Sequence, residues 1–488
     1  MNNLNDNLKK ALNLFNSKKY DDAKLFIFDL IKNSKVDKKV YFLLYEIFTK
    51  QSDSQNAKYY LKKFLELDNK NYIGFNNLAN IYLKERKTDK AEKLYLKAVE
   101  LKSDYLTGII NLAVFYQGMG NNKKAKKFYQ KGLSLAPKKL GIYYNLNKID
   151  KDFIGEEKIK YILELLKSEK LEPFDMASGY FLLAEDQKKK KNIIKEVEHL
   201  KTAHKHAFQH NLNYNKQLLY YWINIVPRKY DKLSFINSDK IKNELIDLEP
   251  IFIIGLPRSG STIVESILSS GISKIIGLGE TNIINWSIIN SNRQILEEQE
   301  SVILDIGAIS NKLLIGLKNL NILKKQNIIF TDKSLENFFY IDVILKIFPK
   351  AKFINTFRNT EDNVYAIFQQ FLGNIAWTHS FENILNYVDN YLKVINFFKK
   401  KYPDKIFSLN LEELTNNPEA VSKKMYNFCN LKWSIKALGF YNRKDLFSDT
   451  ASNTQIRKKI EKYDTKKYKP YKELLKNFSH KYQWINKR

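Results

Sequence analysis

A short glycine-containing loop carries the clearest chemistry in the sequence. The apolar, β-branched run PIFIIG (250–255) predicts a buried strand, LPRSGST follows it, and VESILSS has the spacing of a helix. A strand, a turn and a helix in this order present backbone N–H groups and a helix N-terminus to an anion. Gly255 and Gly260 occupy the glycine positions of the loop G-x-x-x-x-G-K-[ST], but Ser261 stands in place of its lysine.

The missing lysine narrows the chemistry of this loop. An enzyme that hydrolyses ATP or GTP needs that lysine on the β- and γ-phosphates and a magnesium-binding hydroxyl beside it. Here the cation, Arg258, lies inside the loop, and the hydroxyls of Ser261 and Thr262 follow. The sequence therefore predicts a site for one terminal phosphate or sulfate ester without a metal, and it argues against a kinase or nucleoside triphosphatase.

Polar residues follow other predicted strands. Lys333 comes after NIIFTD and Arg358 after KFINTF, and open α/β sheets bind ligands at the carboxyl ends of their strands. Glu280 lies in the segment GLGET. Two of these residues have an alternative interpretation: Lys333 as a surface lysine in a lysine-rich chain, and Glu280 as a helix-start glutamate favoured by the helix dipole.

These motifs resemble a known family. GLPRSGSTIVESILSS is similar to the 5′-phosphosulfate loop of sulfotransferases, in the arginine form of tyrosylprotein sulfotransferases and of bacterial tetratricopeptide-containing sulfotransferases. GLGET (277–281), the block from TDKSLENFF to FINTFRN (331–359) and LNLEELTNNPEAVSKKMYNFCNLKW (409–433) resemble the family's later segments. The resemblance implies a P-loop-like α/β domain that transfers a sulfuryl group from 3′-phosphoadenosine 5′-phosphosulfate to a hydroxyl.

The resemblance also implies a role for each matching residue. Residues implied to hold the 5′-phosphosulfate are Arg258, Ser259, Gly260, Ser261 and Thr262. Arg258 and Lys333 would neutralise the transferred group, and Glu280 would be the general base. Arg358 would bind the 3′-phosphate, although Ala366 stands where the family has a serine eight residues later. The lost hydroxyl weakens the donor assignment without removing it.

The C-terminal segment TASNTQIRKKIEKYDTKKYKPY resembles the family's closing loop over the donor. On that match Gln455, Arg457 and Lys467 would face the nucleotide, and Ser452 would approach the leaving sulfate. The alternative is a basic, solvated tail.

The acceptor is left open by the sequence. TNII follows Glu280 without an arginine, so a tyrosine peptide with acidic flanks has no specific support, and saccharide, lipid and small alcohol acceptors remain alternatives. His379 is a rival base in a region expected to vary with the acceptor.

The first third of the chain contains a repeat. Ala23, Ala57, Ala91 and Ala125 are each 34 residues apart, as are Leu44, Leu78, Leu112 and Leu146. This is the tetratricopeptide period, in which each unit is a pair of amphipathic helices. The repeat is clearest over residues 38–147 and predicts a solenoid that binds a protein or peptide partner.

Composition limits the remaining classes. The net charge is +29, but lysine is spread along the whole chain beside frequent Asn and Ile, so no nucleic-acid partner is predicted. The single Cys429 cannot form an intramolecular disulfide, and no cysteine pair suggests a zinc site. The opening MNNLNDNLKK lacks the apolar run of a signal peptide, and no stretch is long and apolar enough for a membrane span. A soluble, cytoplasmic protein is expected.

The sequence therefore predicts a tetratricopeptide α-solenoid, residues 1–240, followed by a P-loop-like α/β sulfotransferase domain, residues 248–488. Helices should cover both faces of a short parallel sheet, with the donor across the carboxyl ends of its strands. The predicted strands lie near 251–255, 274–278, 327–331, 352–357 and 405–410. The rival hypothesis is a tetratricopeptide scaffold whose second domain binds a nucleotide but has lost catalysis.

Overall fold

The computed structural model describes residues 2–33, 37–51, 53–298, 301–320, 322–324, 329–443, 445–448, 450 and 452–485. The chain divides into two compact units, residues 1–137 and 138–488. The compact unit that contains the sheet thus begins well before residue 248, and the predicted functional boundary at 240–248 stays a prediction.

The first unit is built from helices. They are α1 (Asn2–Asn16), α2 (Tyr20–Asn33), α3 (Lys38–Lys50), α4 (Ser54–Leu67), α5 (Tyr72–Lys84), α6 (Thr88–Leu101), α7 (Leu106–Gly118) and α8 (Asn122–Leu135). The repeated alanines, Ala23, Ala57, Ala91 and Ala125, are all buried. A small side chain at each position lets the two helices of a pair approach closely, so the predicted helical repeat is confirmed.

The turns between paired helices also follow the repeat. Lys18, Arg86 and Gly120 have positive φ angles of 59°, 58° and 75°, and they are separated by multiples of 34 residues. Each residue comes after the first helix of a pair, where a left-handed residue redirects the chain and lets backbone N–H groups bond the last carbonyls. Between α7 and α8, for example, the Asn121 N–H donates to the Tyr116 carbonyl oxygen at 2.8 Å.

The second unit opens with further helices and continues into the sheet. The opening helices are α9 (Leu140–Ile149), α10 (Glu156–Ser168), α11 (Pro173–Lys189), α12 (Ile193–His210) and α13 (Leu212–Tyr220). Later helices are α14 (Asn243–Ile246), α15 (Ser261–Ser269), α16 (Ile283–Ser291), α17 (Ile306–Asn319), α18 (Ile341–Ile347), α19 (Thr360–Phe368), α20 (Phe381–Lys401), α21 (Leu411–Asn416), α22 (Pro418–Phe428) and α23 (Glu473–Lys476). Within the described ranges, no helix is both long and apolar enough to cross a bilayer.

The strands are β1 (Leu233–Ile236), β2 (Ile251–Gly255), β3 (Ile275–Gly277), β4 (Val302–Asp305), β5 (Ile329–Asp332), β6 (Lys352–Phe357) and β7 (Ile406–Asn410). Five of them form a parallel sheet in the order β3-β5-β2-β6-β7. These are the five predicted strands, although residues 327–328 of the third lie outside the described residues. β2 is central and fully buried. Because β2 pairs in parallel with β5 and β6, the segments that follow these three strands leave the sheet at the same edge.

A second, two-stranded parallel sheet pairs β1 with β4 and has no counterpart in the prediction. Both strands are four residues long, and about half of Ile236 and Ile303 is exposed. Such short strands with one open face carry a weak periodic signal.

Aromatic side chains join helices α9 and α11 of the second unit to the segment after α19. The ring of Phe371 stacks on Phe181 at 4.9 Å and lies 5.4 Å from Phe174 and 5.7 Å from Tyr144. These rings bury large apolar areas in one place, which explains the early start of the compact unit.

Candidate active site

The loop after β2 is shaped by its two glycines. Gly255 has φ 140°, and a Cβ there would overlap the carbonyl oxygen of Thr356 on the neighbouring strand. Gly260 has φ 92°, and its Cβ would lie 2.6 Å from Leu411 Cδ1. Both positions therefore require glycine, and the loop turns tightly into the N-terminus of α15.

Two buried polar side chains hold this loop from within. The Ser259 hydroxyl donates to the Leu256 carbonyl oxygen at 2.7 Å and lies 2.7 Å from Thr356 Oγ1. The side-chain amide of Asn363 donates to the Pro257 carbonyl oxygen at 2.7 Å. Asn363 was missed by the sequence prediction, since only the fold brings α19 to the loop. The hydroxyls of Ser261 and Thr262 lie in the first turn of α15, in buried residues.

Arg258 connects the loop to the C-terminal segment. Its backbone has φ 68°, a left-handed conformation that non-glycine residues seldom adopt. Its Nη1 donates to Ser452 Oγ at 2.6 Å, which brings together two residues that the resemblance assigned to the reaction. Burial lowers the pKa of Arg258, and the nearby charge of Arg358 lowers it further. Such strain and desolvation in one residue are typical of functional sites.

Arg358 follows β6, and two tyrosines from the C-terminal segment cover it. Its guanidinium carbon lies 4.6 Å from the centre of the Tyr463 ring and 5.2 Å from that of Tyr468. Nη2 donates to the Tyr463 hydroxyl, which in turn donates to Asp362 Oδ2 at 2.5 Å. Arg358 Nε is buried and, within the described part of the chain, has no hydrogen-bond partner. A buried donor of this kind fits an anionic ligand.

Lys467 completes a group of three cations. Burial lowers its pKa, and the charges of Arg258 and Arg358 lower it further. Three cations that repel one another in a desolvated place destabilise the ligand-free protein, and an anion reverses that effect. Arg358 Nη1 also lies 3.5 Å from the Arg258 carbonyl oxygen, and Lys467 directly precedes Tyr468, which packs on Arg358, so the three predicted residues are close together.

Glu280 and Lys333 meet at the ends of β3 and β5. Lys333 Nζ lies 2.5 Å from Glu280 Oε1, and the Lys333 side chain is 1% exposed whereas that of Glu280 is 47% exposed. The Lys333 backbone N–H donates to the Gly279 carbonyl oxygen at 2.8 Å, which holds the two segments side by side. Glu280 can thus reach solvent and a ligand, while Lys333 approaches from the protein interior.

A further carboxylate, Glu336, adjoins this pair and was not predicted. Its pKa is raised to about 7, chiefly by burial and also by the charges of Glu280 and Asp332, although Lys333 acts in the opposite direction. It lies on the 3-10 helix Leu335–Tyr340, one turn after Lys333. The motif DKSLEN contained a signal for it. A glutamate three residues after the lysine lies one helical turn away and so returns to the neighbourhood of Lys333.

The other predicted residues occupy different surroundings. Gln455 is exposed, and the Arg457 guanidinium donates to the carbonyl oxygens of Arg443, at 3.3 Å, and of Leu446. Their assignment to the nucleotide stays a prediction. Ala366 is buried in α19. His379, the rival base, is buried against His204, with 3.3 Å between their Nδ1 atoms, and burial lowers its pKa to about 4.

Comparison with known proteins matches two parts of the chain to families. Residues 250–434 match the model of the family described as "Sulfotransferase family", and residues 74–105 and 108–139 match the tetratricopeptide repeat. Residues 250–434 form a sulfotransferase-family domain. Tetratricopeptide repeats precede it in the chain.

Individual relatives of the repeats and the sulfotransferase domain are distant. An uncharacterized protein of Aquifex aeolicus (strain VF5) is 27% identical over 333 residues, which cover 66% of this chain and 43% of that protein, so the match spans less than half of the relative. The sulfotransferase domain of the Synechococcus PCC 7002 olefin synthase is 14% identical, covering 46% of this chain and 88% of that one, with a TM-score of 0.32.

Two other solved structures match in part. The Mycobacterium tuberculosis sulfotransferase STF1 is 13% identical, covering 59% of this chain and 93% of that one, with a TM-score of 0.28. Pseudomonas aeruginosa pilF is 14% identical, covering 40% of this chain and 88% of that one, with a TM-score of 0.33. The particular resemblance to tyrosylprotein sulfotransferases stays a prediction.

Proposed function

We propose that this protein transfers a sulfuryl group from 3′-phosphoadenosine 5′-phosphosulfate to a hydroxyl acceptor. The observation that carries the proposal is the convergence of Arg258, Arg358 and Lys467. Arg358 Nη1 lies 3.5 Å from the Arg258 carbonyl oxygen, and Tyr468, which follows Lys467, packs on the Arg358 guanidinium. The donor has anionic groups at both ends of its ribose. A site with cations at two places suits such a ligand better than it suits a ligand with a single phosphate.

The two anionic groups are assigned to different residues. The loop 258–262 and the N-terminus of α15 face the 5′-phosphosulfate through backbone N–H groups, the Arg258 guanidinium and the hydroxyls of Ser261 and Thr262. Arg358 and Lys467 bind the 3′-phosphate, and the buried Nε of Arg358 supplies a free donor. Ala366 offers no hydroxyl there, and the Tyr463 hydroxyl beside Arg358 already donates to Asp362, so Arg358 and Lys467 are the donors to the 3′-phosphate.

Glu280 is the general base in this proposal. The acceptor oxygen bonds to sulfur while the bond between sulfur and the 5′-phosphate oxygen breaks, and the bisphosphate leaves with the electron pair. Glu280 takes the hydroxyl proton, because its carboxylate is half-exposed at the strand ends. Lys333 and Arg258 neutralise the charge that moves onto the leaving oxygen, and Ser452 is held near it by Arg258.

The tetratricopeptide repeats are proposed to bind a protein or peptide partner. Solenoids of this kind present extended surfaces to partners. The partner and the hydroxyl acceptor need not be the same molecule.

A thermal shift comparison tests the donor assignment. We expect 3′-phosphoadenosine 5′-phosphate to stabilise the protein by about 3 kcal/mol at a hundredfold excess over its Kd. ATP with magnesium should have little effect, because the loop has Ser261 where such enzymes need lysine. Stabilisation by ATP with none by the bisphosphate would contradict the proposal.

A further inference from the structure

A buried carboxylate on α12 contacts the segment that covers Arg358. Glu196 is 2% exposed. It accepts a hydrogen bond from the Tyr471 hydroxyl at 2.7 Å and another from the Gln369 side-chain amide at 2.9 Å. Gln369 Oε1 in turn accepts from Lys188 Nζ on α11 at 2.5 Å. Residues from α11, α12, the end of α19 and the C-terminal segment thus form one hydrogen-bonded cluster.

The cluster lies next to the cover of the proposed 3′-phosphate site. Tyr471 belongs to the 3-10 helix Lys469–Tyr471, and Tyr468, directly before it, is 4% exposed and packs on Arg358. Both tyrosines also pack on Tyr365 of α19, at 6.1 and 5.7 Å between ring centres. Fixing Tyr471 therefore fixes Tyr468 and its neighbour Lys467.

The covering segment needs such a fixed point. We call residues 452–471 the closing segment. In its described residues it contains two three-residue 3-10 helices, Gln455–Arg457 and Lys469–Tyr471, and neither an α-helix nor a strand. Without a backbone ladder, side-chain contacts must offset the conformational entropy of ordering it. A buried carboxylate is a costly contact compared with an apolar one, which suggests that it serves the site.

We propose that Glu196 is a positioning residue of the donor site: through Tyr471 it holds Tyr468 and Lys467 in place against Arg358, so that the 3′-phosphate meets a formed pocket. This inference rests on the proposed function, because it takes Arg358 to be the 3′-phosphate residue. It also gives a helix outside the matched range 250–434 a role in donor binding.

Two conservative variants test the inference. Glu196→Gln keeps the size of the side chain but removes the charge, and Tyr471→Phe removes a single hydroxyl. Calorimetry would measure the Kd of 3′-phosphoadenosine 5′-phosphate and of adenosine 5′-phosphate, which lacks the 3′-phosphate. We expect about five- to thirtyfold weaker binding of the bisphosphate in each variant and a change within twofold for the monophosphate. The double variant should lose no more than the larger single loss, because both substitutions weaken the same contact between residues 196 and 471.

Tyr482→Phe is the matched control. Tyr482 is a buried residue of the same C-terminal region, and it lies outside the closing segment. Its hydroxyl donates to Asn386 Oδ1 at 2.5 Å. It should leave the ratio of the two affinities unchanged.

The outcomes separate this inference from the proposed function. Wild-type protein that fails to bind the bisphosphate contradicts the function itself. If the wild-type protein binds the bisphosphate and both Glu196→Gln and Tyr471→Phe bind it with the same Kd, only the positioning role is overturned. Equal losses for bisphosphate and monophosphate also overturn it, because they would show general loosening of the fold.

Discussion

The two sides of the candidate active site are built in different ways. On one side, the strand-end side, the loop 255–262, Glu280 and Lys333 follow sheet strands, and glycines and backbone hydrogen bonds set their positions. On the other, the closing segment reaches Arg358 through tyrosine rings, a lysine and side-chain hydrogen bonds. Substitutions on the strand-end side should therefore cause large losses of stability or turnover. Substitutions in the cover should cause smaller, graded losses of affinity.

Gly255→Ala should have the largest effect. Residue 255 has φ 140°, and the new Cβ would overlap the backbone oxygen of Thr356. Neither that carbonyl nor the central strand can move aside. We expect a loss above about 4 kcal/mol in unfolding free energy, or no folded second unit. All five tryptophans lie beyond residue 137, so tryptophan fluorescence during urea unfolding reports on that unit alone. The control Gly439→Ala has open space, with its nearest atom at 3.8 Å, and should change stability little.

Glu280→Gln should remove catalysis without removing the site. The amide keeps the shape but cannot take a proton, so we expect kcat to fall by about 10²–10⁴ while donor affinity stays within a few fold. Turnover within tenfold of wild type would show that another group is the base, and Glu336, beside the pair, would be tested next.

Arg358→Ala tests the cover directly. It removes the cation between the two tyrosines, and we expect bisphosphate binding to weaken by about 2–4 kcal/mol. Adenosine 5′-phosphate should bind almost as before, because the loop contacts are intact. Calorimetry with both nucleotides checks this, and equal losses would mean that Arg358 supports the fold and not the 3′-phosphate.

The smallest expected effect concerns the contact between α12 and the segment 376–379. His204 Nε2 lies 2.7 Å from the Phe368 carbonyl oxygen and must donate to it, so its Nδ1 accepts from His379 Nδ1. Burial lowers the pKa of His204 to about 3 and that of His379 to about 4. The unfolded chain then binds more protons between pH 4 and 6.5, and stability is lost as pH falls through that window.

Between pH 6.5 and 5 the ionisation of His379 alone should account for about 1.5 kcal/mol of that loss. Urea unfolding of wild type and His379→Asn, at both pH values, measures the difference. Identical pH slopes in the two proteins would show that the histidine pair does not titrate in this way.

The same contrast explains how much the sequence could predict. The five strands and the loop were predicted because apolar runs, glycines and a turn are local signals, and the structure confirms the fold. Arg258, Glu280, Lys333 and Arg358 were located by motif, and their pairing follows from parallel strands that end at one edge. The partners Tyr463, Tyr468 and Glu196 were not predicted, since they come from distant segments and no period or fixed spacing places them beside Arg358.

The long lysine-rich tail illustrates the difficulty. Its composition is that of a solvated segment, yet Tyr468 and Tyr471 are buried and Lys467 faces two arginines. Tyrosines interleaved with lysines were the available signal, because a ring can cover a cation and also hydrogen-bond.

Transfer of labelled sulfate tests the central claim most directly. The protein would be incubated with ³⁵S-labelled 3′-phosphoadenosine 5′-phosphosulfate and a panel of phenolic peptides, saccharides and small alcohols, beside the Glu280→Gln variant. We predict that wild-type protein labels at least one acceptor class and that the variant labels it at least a hundredfold more slowly. If the protein binds the bisphosphate but labels no acceptor, the domain is a nucleotide-binding relic on a tetratricopeptide scaffold, and the proposed function is wrong.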